Sequence, residues 1–252
     1  MTGLHVERTG PRDGRSVVLL HGGGVAGWMW HPLRRHLPEA LDLIVPDLPG
    51  HGRSRGVPFV SRAAVVEQLI RLLRHDVGRP AAVVGFSFGA QVAIELAAEA
   101  PELVSHVTVI SAQAAPTPLP GLTLGLLAAA APLARNATFA RAQAKELFIP
   151  DELMDAYLDE SRAFDRRTLT GVVGENIRFT IPAGWSRFPG SAAVLVGARE
   201  RRMMIDSSRM LHAALPSSTL EIVDDRGHGI PLQCPALLAA RLRAQWAPTP
   251  GA

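Results

Sequence analysis

Cysteine is almost missing from this chain: Cys234 is the only one in 252 residues. A lone thiol has no partner for an intramolecular disulfide, and a metal site built from several cysteines is excluded. It sits in Leu232-Gln233-Cys234-Pro235 with no base pattern around it, as a small buried side chain does. Lysine is equally rare, Lys145 standing alone, so arginine carries the positive charge. No uncharged apolar run reaches the roughly 18 residues that a membrane-spanning helix needs. Residues 1–10 lack a basic stretch followed by an apolar one, so no secretory leader is read there. These absences lead us to expect a soluble, cytoplasmic protein without a membrane partner. The net charge of +3 and pI near 9.9 raise the question of a polyanion. Basic and acidic residues are interleaved, only Arg199, Arg201 and Arg202 cluster, and no nucleic-acid motif accompanies them, so no nucleic-acid partner is expected.

What the chain does contain is apolar material, 47% of its residues, enough for one sizeable core. Short aliphatic runs at 17–20, 43–45, 81–84, 107–110, 193–196 and 220–223 are each followed by a glycine or proline turn and a segment of helical spacing. That alternation builds a mostly parallel α/β sheet, and near-continuous apolar runs suit strands covered on both faces. Val66, Leu69, Ile70 and Leu73 form one helical stripe, and Leu238, Leu242 and Trp246 another. Residues 113–188 break the rhythm. Pro116, Pro118 and Pro120 interrupt any regular helix there, 122–133 is nearly all apolar, and Leu153, Tyr157 and Phe164 mark an amphipathic segment. The division expected is a core of 1–112 and 189–252 carrying a helical cap at 113–188. A helical layer that only completes the core is the plainer alternative. No internal repeat is present, and 247–252 reads as a frayed tail.

The sharpest local pattern is Gly85-Phe86-Ser87-Phe88-Gly89, set between the run at 81–84 and the helix-forming stretch 90–98. A serine at a sharp strand-to-helix turn is exposed above the sheet, flanking glycines relieve the crowding, and the helix N-terminus offers free N–H groups to a developing oxyanion. A turn serine without chemistry is the alternative. A serine hydroxyl needs a base, and His228, in Asp225-Arg226-Gly227-His228-Gly229 after the last run, is the best placed. The other histidines precede the serine or lie on expected helices, as do His106 and His212.

With these residues in view, the chain resembles the α/β-hydrolase superfamily, in its lidded esterase, lactonase and epoxide-hydrolase-like branch. The resemblance covers nearly everything outside 113–188. It rests on His21-Gly22-Gly23-Gly24, Asp47-Leu48-Pro49-Gly50-His51-Gly52-Arg53-Ser54, the Ser87 pentapeptide, the Gly197 turn and Gly227-His228, in the family's order. It implies an α/β-hydrolase fold, Ser87 as nucleophile, His228 as base, and the N–H groups of Phe88 and of Gly23, chosen narrowly over Gly24, as oxyanion donors, with a tight turn needing small residues as the alternative for the glycine run. His21, Asp47 and His51 would hold the loops. The family expects an aspartate three residues after the strand-ending glycine, and this sequence has Glu200 there. Glutamate carries the same carboxylate on a longer arm. Alternatively Glu200 pairs with a neighbouring arginine, leaving Asp206 or Asp225 to orient the base; residues 111–115 hold no carboxylate. Trp28, Trp30 and Phe86 are candidate pocket walls, with packing the equal alternative for the tryptophans.

The implied reaction is acyl transfer on a small hydrophobic ester or lactone, with no metal or organic cofactor, by a monomer or homodimer. Relatives acting on epoxides or haloalkanes carry aspartate where Ser87 stands, which sets those reactions aside. Carbon-carbon bond hydrolysis, thioester cleavage, cofactor-free oxidation and a slow-turnover ligand sensor stay open.

Overall fold

A computed structural model of the chain describes residues 3–130 and 136–247. The strands are β1 (Val6–Thr9), β2 (Ser16–Leu20), β3 (Asp42–Pro46), β4 (Ala81–Phe86), β5 (Val104–Ile110), β6 (Ser191–Gly197) and β7 (Thr219–Val223). They form one sheet in the order β1-β3-β2-β4-β5-β6-β7, parallel except for the β1/β3 pair. Every aliphatic run read from the sequence lies in a parallel strand. The strand the sequence hid is β1: it pairs on one side only and is half-buried throughout, so Val6-Glu7-Arg8-Thr9 has no reason to be apolar. His106 also departs from expectation, lying on β5 rather than on a helix.

Helices α1 (His31–Arg34), α2 (Arg62–Leu72) and α3 (Phe88–Glu99) come before β5 ends; α4 (Pro120–Ala130), α5 (Ala137–Glu146), α6 (Met154–Ala163) and α7 (Arg166–Ile177) fall between β5 and β6. Helices α8 (Arg202–Ala214), α9 (Ile230–Gln233) and α10 (Pro235–Trp246) complete the chain. Alternation along the strands divides the core into two layers. Val18 and Leu20 of β2 face Val66 and Leu69 of α2 with the small residues of α3, while Val17 and Leu19 face Leu33 of α1 and Leu238, Leu242 and Trp246 of α10. Each such aliphatic side chain contributes about 1.5–3 kcal/mol on full burial, so both stripes are fixed to the sheet.

The segment between β5 and β6 is helical, as its composition predicts. Its first helix starts at Pro120, a position where the missing N–H costs nothing. Helix α4 packs on α7 yet leaves Leu122 and Leu126 exposed, at 62% and 65%. The end of the apolar run beyond residue 130 and the tail after 247 lie outside the described residues.

The chain leaves β2 toward β3 on one side and returns to β4 on the other. The loops after β2 and β4 therefore diverge, opening a crevice at the C-terminal edge of the sheet, where open α/β sheets place their ligands. Gly22–Gly24 and Ser87 stand at that crevice.

Candidate active site

Ser87 occupies the turn between β4 and α3 with φ 52° and ψ −113°, a left-handed strain for a residue with a side chain. Its N–H donates to the Ile110 carbonyl at 2.8 Å, which continues the β4–β5 ladder to the turn. The glycines on either side are steric requirements. A Cβ on Gly85 would meet the Gly89 carbonyl oxygen, and one on Gly89 would meet the carbonyls of Leu20 and His21. The helix thus sits directly on the sheet, and the serine hydroxyl is pushed outward.

His228, on the loop after β7, brings Nε2 to 3.2 Å from Ser87 Oγ. Its Nδ1 lies 2.8 Å from Glu200 Oε2. A carboxylate there can only accept, so Nδ1 carries the proton and Nε2 is bare toward the serine. The other Glu200 oxygen accepts from Ser111 Oγ at 2.6 Å and from the Gly197 N–H at 3.0 Å. Burial pushes the Glu200 carboxyl upward, but the contacts with His228, Ser111 and Gly197 outweigh it and hold it below the usual range. Of the competing carboxylates, Asp206 pairs with Arg202 and Arg209, and Asp225 pairs with Arg199. The structure brings Glu200 to the imidazole and leaves those two elsewhere.

Gly23 is exposed beside Ser87, and its N–H has no acceptor among the described residues, whereas the Gly24 N–H donates to His51 Nε2 at 3.3 Å. Phe88 opens α3, where helical N–H groups are unpaired. Behind these amides lies a buried imidazole pair with ring centroids 5.0 Å apart. His21 Nδ1 donates to the Gly22 carbonyl and its Nε2 accepts the Leu48 N–H; His51 Nδ1 donates to the Pro49 carbonyl. Both rings must be neutral to do this. Burial lowers His21 to about 4, and burial together with the neighbouring His21 lowers His51 to about 3. Asp47 adds acceptors for the Gly27 and Arg53 N–H groups at 2.8 and 2.9 Å. The loop after β2 and the loop after β3 are thereby cross-linked through three side chains.

Two cavities, of about 440 and 410 Å³, meet at Ser87 and share Glu146, Leu147 and Asn176. The aromatic expectations need correcting here. Trp28 borders neither cavity; it is half-buried with its ring edge on Tyr157 at 6.5 Å. Trp30 is fully buried in the core. Phe86 is buried, its ring 5.1 Å from that of His228, and it supports the imidazole from below instead of facing a ligand. Trp28 thus stands behind Tyr157 of α6, which itself lines one of the cavities, and Trp30 packs in the core.

Several residues at the site escaped sequence reading. Ser111 has φ 54°, which turns its hydroxyl back to Glu200. Leu147 and Phe148 press on the His228 loop: a Cβ on Gly229 would lie 2.5 Å from the Leu147 carbonyl oxygen. Glu160 of α6 accepts the Gly52 N–H with both oxygens, at 3.0 and 3.1 Å, and burial raises its pKa. Gln91 of α3 donates to the carbonyls of Gln113 and Asn176, tying together the two ends of the helical segment. None of these has a motif, since each depends on contacts between distant segments. Among the described residues no group of three or more His, Cys, Asp or Glu could hold a metal ion, and no helix is long and apolar enough to cross a membrane.

Comparison with known proteins agrees with the fold. A model described as "Alpha/beta hydrolase family" matches residues 17–241. Lipase LipV of Mycobacterium tuberculosis is 41% identical over 107 residues, and the match covers 42% of this chain and 41% of that one, so it spans less than half of either protein. Pimeloyl-[acyl-carrier protein] methyl ester esterase of Chromobacterium violaceum is 28% identical over 86% of this chain and 87% of its own. Among solved structures, a bromoperoxidase from Bacillus anthracis superposes with a TM-score of 0.83 at 16% identity, covering 96% of this chain and 94% of that one, a likeness of fold.

Proposed function

The chain belongs to the alpha/beta hydrolase family, and from that premise we propose that it is a serine hydrolase of small hydrophobic esters or lactones, working through an acyl-enzyme. The observation that carries the proposal is the relay from Glu200 through His228 to Ser87, at 2.8 and 3.2 Å, on a strained turn beside two free amides. His228 Nε2 takes the Ser87 proton as Oγ attacks the carbonyl carbon. The oxygen, now negative, is held by the Gly23 and Phe88 N–H groups, preorganised by the His51 bond to Gly24 and by the start of α3. Collapse of the intermediate expels the alcohol oxygen, which receives the proton from His228. Water, deprotonated by the same nitrogen, then attacks the acyl-enzyme and restores Ser87. Glu200, kept ionised, holds the imidazole in one tautomer and stabilises it when charged. Residues 113–188 act as the cap, closing both cavities from above. Names among the relatives, a lipase and a methyl ester esterase, support ester substrates.

The test is an ester, lactone and thioester panel on wild type and Ser87→Ala. Wild type should turn over esters or lactones best, and the variant should lose about 10⁴-fold or more in kcat while keeping its thermal midpoint. Equal rates in the two proteins remove Ser87 from the reaction.

A further inference from the structure

The two cavities that meet at Ser87 have unlike walls. One is bordered by Gly23 and Gly24 and is lined by Phe164, Leu169, Val172 and Val173. The other is bordered by His228 and opens past Met204 to Arg199 and Arg201. The chemistry of acyl transfer decides which half of a substrate enters which. The departing alcohol oxygen takes its proton from His228 Nε2, so the alcohol lies in the cavity that His228 borders. The acyl chain then lies on the side of the glycine loop, among the aliphatic side chains.

The alcohol side carries a charge preference. Arg199 is paired with Asp225 across an exposed 2.8 Å contact, but the Arg201 guanidinium, also exposed, has no hydrogen-bond or ion-pair partner among the described residues. Glu200 on the same wall is engaged by three donors. Glu146 lines both cavities, so it disfavours an anion in the part they share and leaves the Arg201 end, which only one of them reaches, as the place for one. We propose that the substrate is an ester of an apolar acyl chain with an anionic alcohol, the acyl chain lying along Leu169, Val172 and Val173 and the alcohol's carboxylate or phosphate meeting Arg201. This deepens the serine hydrolase reading and rests on it.

Three hexanoate esters of similar size test the assignment: those of glycolate, ethylene glycol and choline, which present a negative, neutral and positive alcohol. Wild type should rank them in that order by kcat/KM, with roughly fivefold between glycolate and choline, the range of an exposed charge pair. Arg201→Glu should invert the ranking, and Arg201→Ala should compress it. Val173→Trp should shorten the longest acyl chain accepted and keep the charge ranking. Equal rates on all three esters, or a ranking that Arg201→Glu leaves in place, overturn the inference while the hydrolase reading stands. A charge ranking that follows Val173→Trp instead reverses the two cavities and overturns it as well. No turnover of any ester, with Ser87 unreactive to a phosphonate, removes both readings.

Discussion

The loops at the C-terminal edge of the sheet and the helical segment above them are held by different means. Below, the loops after β2 and β3 are cross-linked by buried polar groups whose every ring nitrogen is used, as in His21 and His51. Above, helices α4 to α7 are packed onto the core by apolar side chains such as Ala144, Leu153, Tyr157, Leu158 and Val172, with polar ties added by Glu160 to Gly52, Gln91 to Asn176, Arg62 to Glu95 and Glu175, and the exposed pair Arg35–Glu152. The loops that carry the proposed chemistry are fixed by buried polar bonds, and the helical segment is packed over them and supplies walls of both cavities. Substitutions in the lower half should therefore cost stability or kcat, and those in the upper half should change selectivity.

Gly89→Ala should give the largest effect, because its methyl group meets backbone oxygens that have nowhere to move. A loss of about 3 kcal/mol or more in urea unfolding is expected, the size of severe core strain. Next, Gly23→Ala should slow kcat by about tenfold with little change in stability, a part of the roughly 2.7–4 kcal/mol that one oxyanion donor supplies. A Cβ there would stand 3.0 Å from Val172 Cγ1, so adding Val172→Ala should recover most of the rate. Recovery would locate the pressure in the upper half; failure to recover would locate it in the glycine loop itself.

Acid should weaken the lower half first. His21 and His51 have folded pKa values of about 4 and about 3, below the unfolded value of 6.5, so the unfolded chain takes up protons first. Their contribution is complete above about pH 6.5 and is lost as pH falls toward 4. The urea midpoint should drop between pH 7.5 and 5, and His51→Gln, which keeps an acceptor for Gly24 without a titrating ring, should show a shallower drop. At the small end, Arg35→Ala removes a pair exposed on both sides and should change stability by less than about 0.5 kcal/mol.

The same division governs what the sequence disclosed. Parallel strands buried on both faces must be apolar along their length, so their positions could be read residue by residue, as could the Gly-x-Ser-x-Gly turn, whose glycines answer to backbone crowding. Glu200 was legible only through the resemblance, at the place where the family carries an aspartate, and in the structure its two oxygens meet the Gly197 N–H and His228. Strand β1 was silent because, half-buried along its length, it is built of Val6, Glu7, Arg8 and Thr9, whereas the other edge strand, β7, kept Leu220, Ile222 and Val223 and was read. Ser111, Phe148 and Glu160 were silent because their partners lie far away in sequence, at Glu200, Gly227 and Gly52. The tryptophans misled for a related reason: size and apolarity fix that a side chain is covered, not by what.

The account stands on Ser87 as the nucleophile. Titration with a fluorophosphonate, followed by peptide mass mapping and residual ester turnover on the same samples, tests it most directly. One label per chain on Ser87, with activity falling in proportion, is the predicted result. Label on another residue, or full turnover with Ser87 wholly modified, would contradict it.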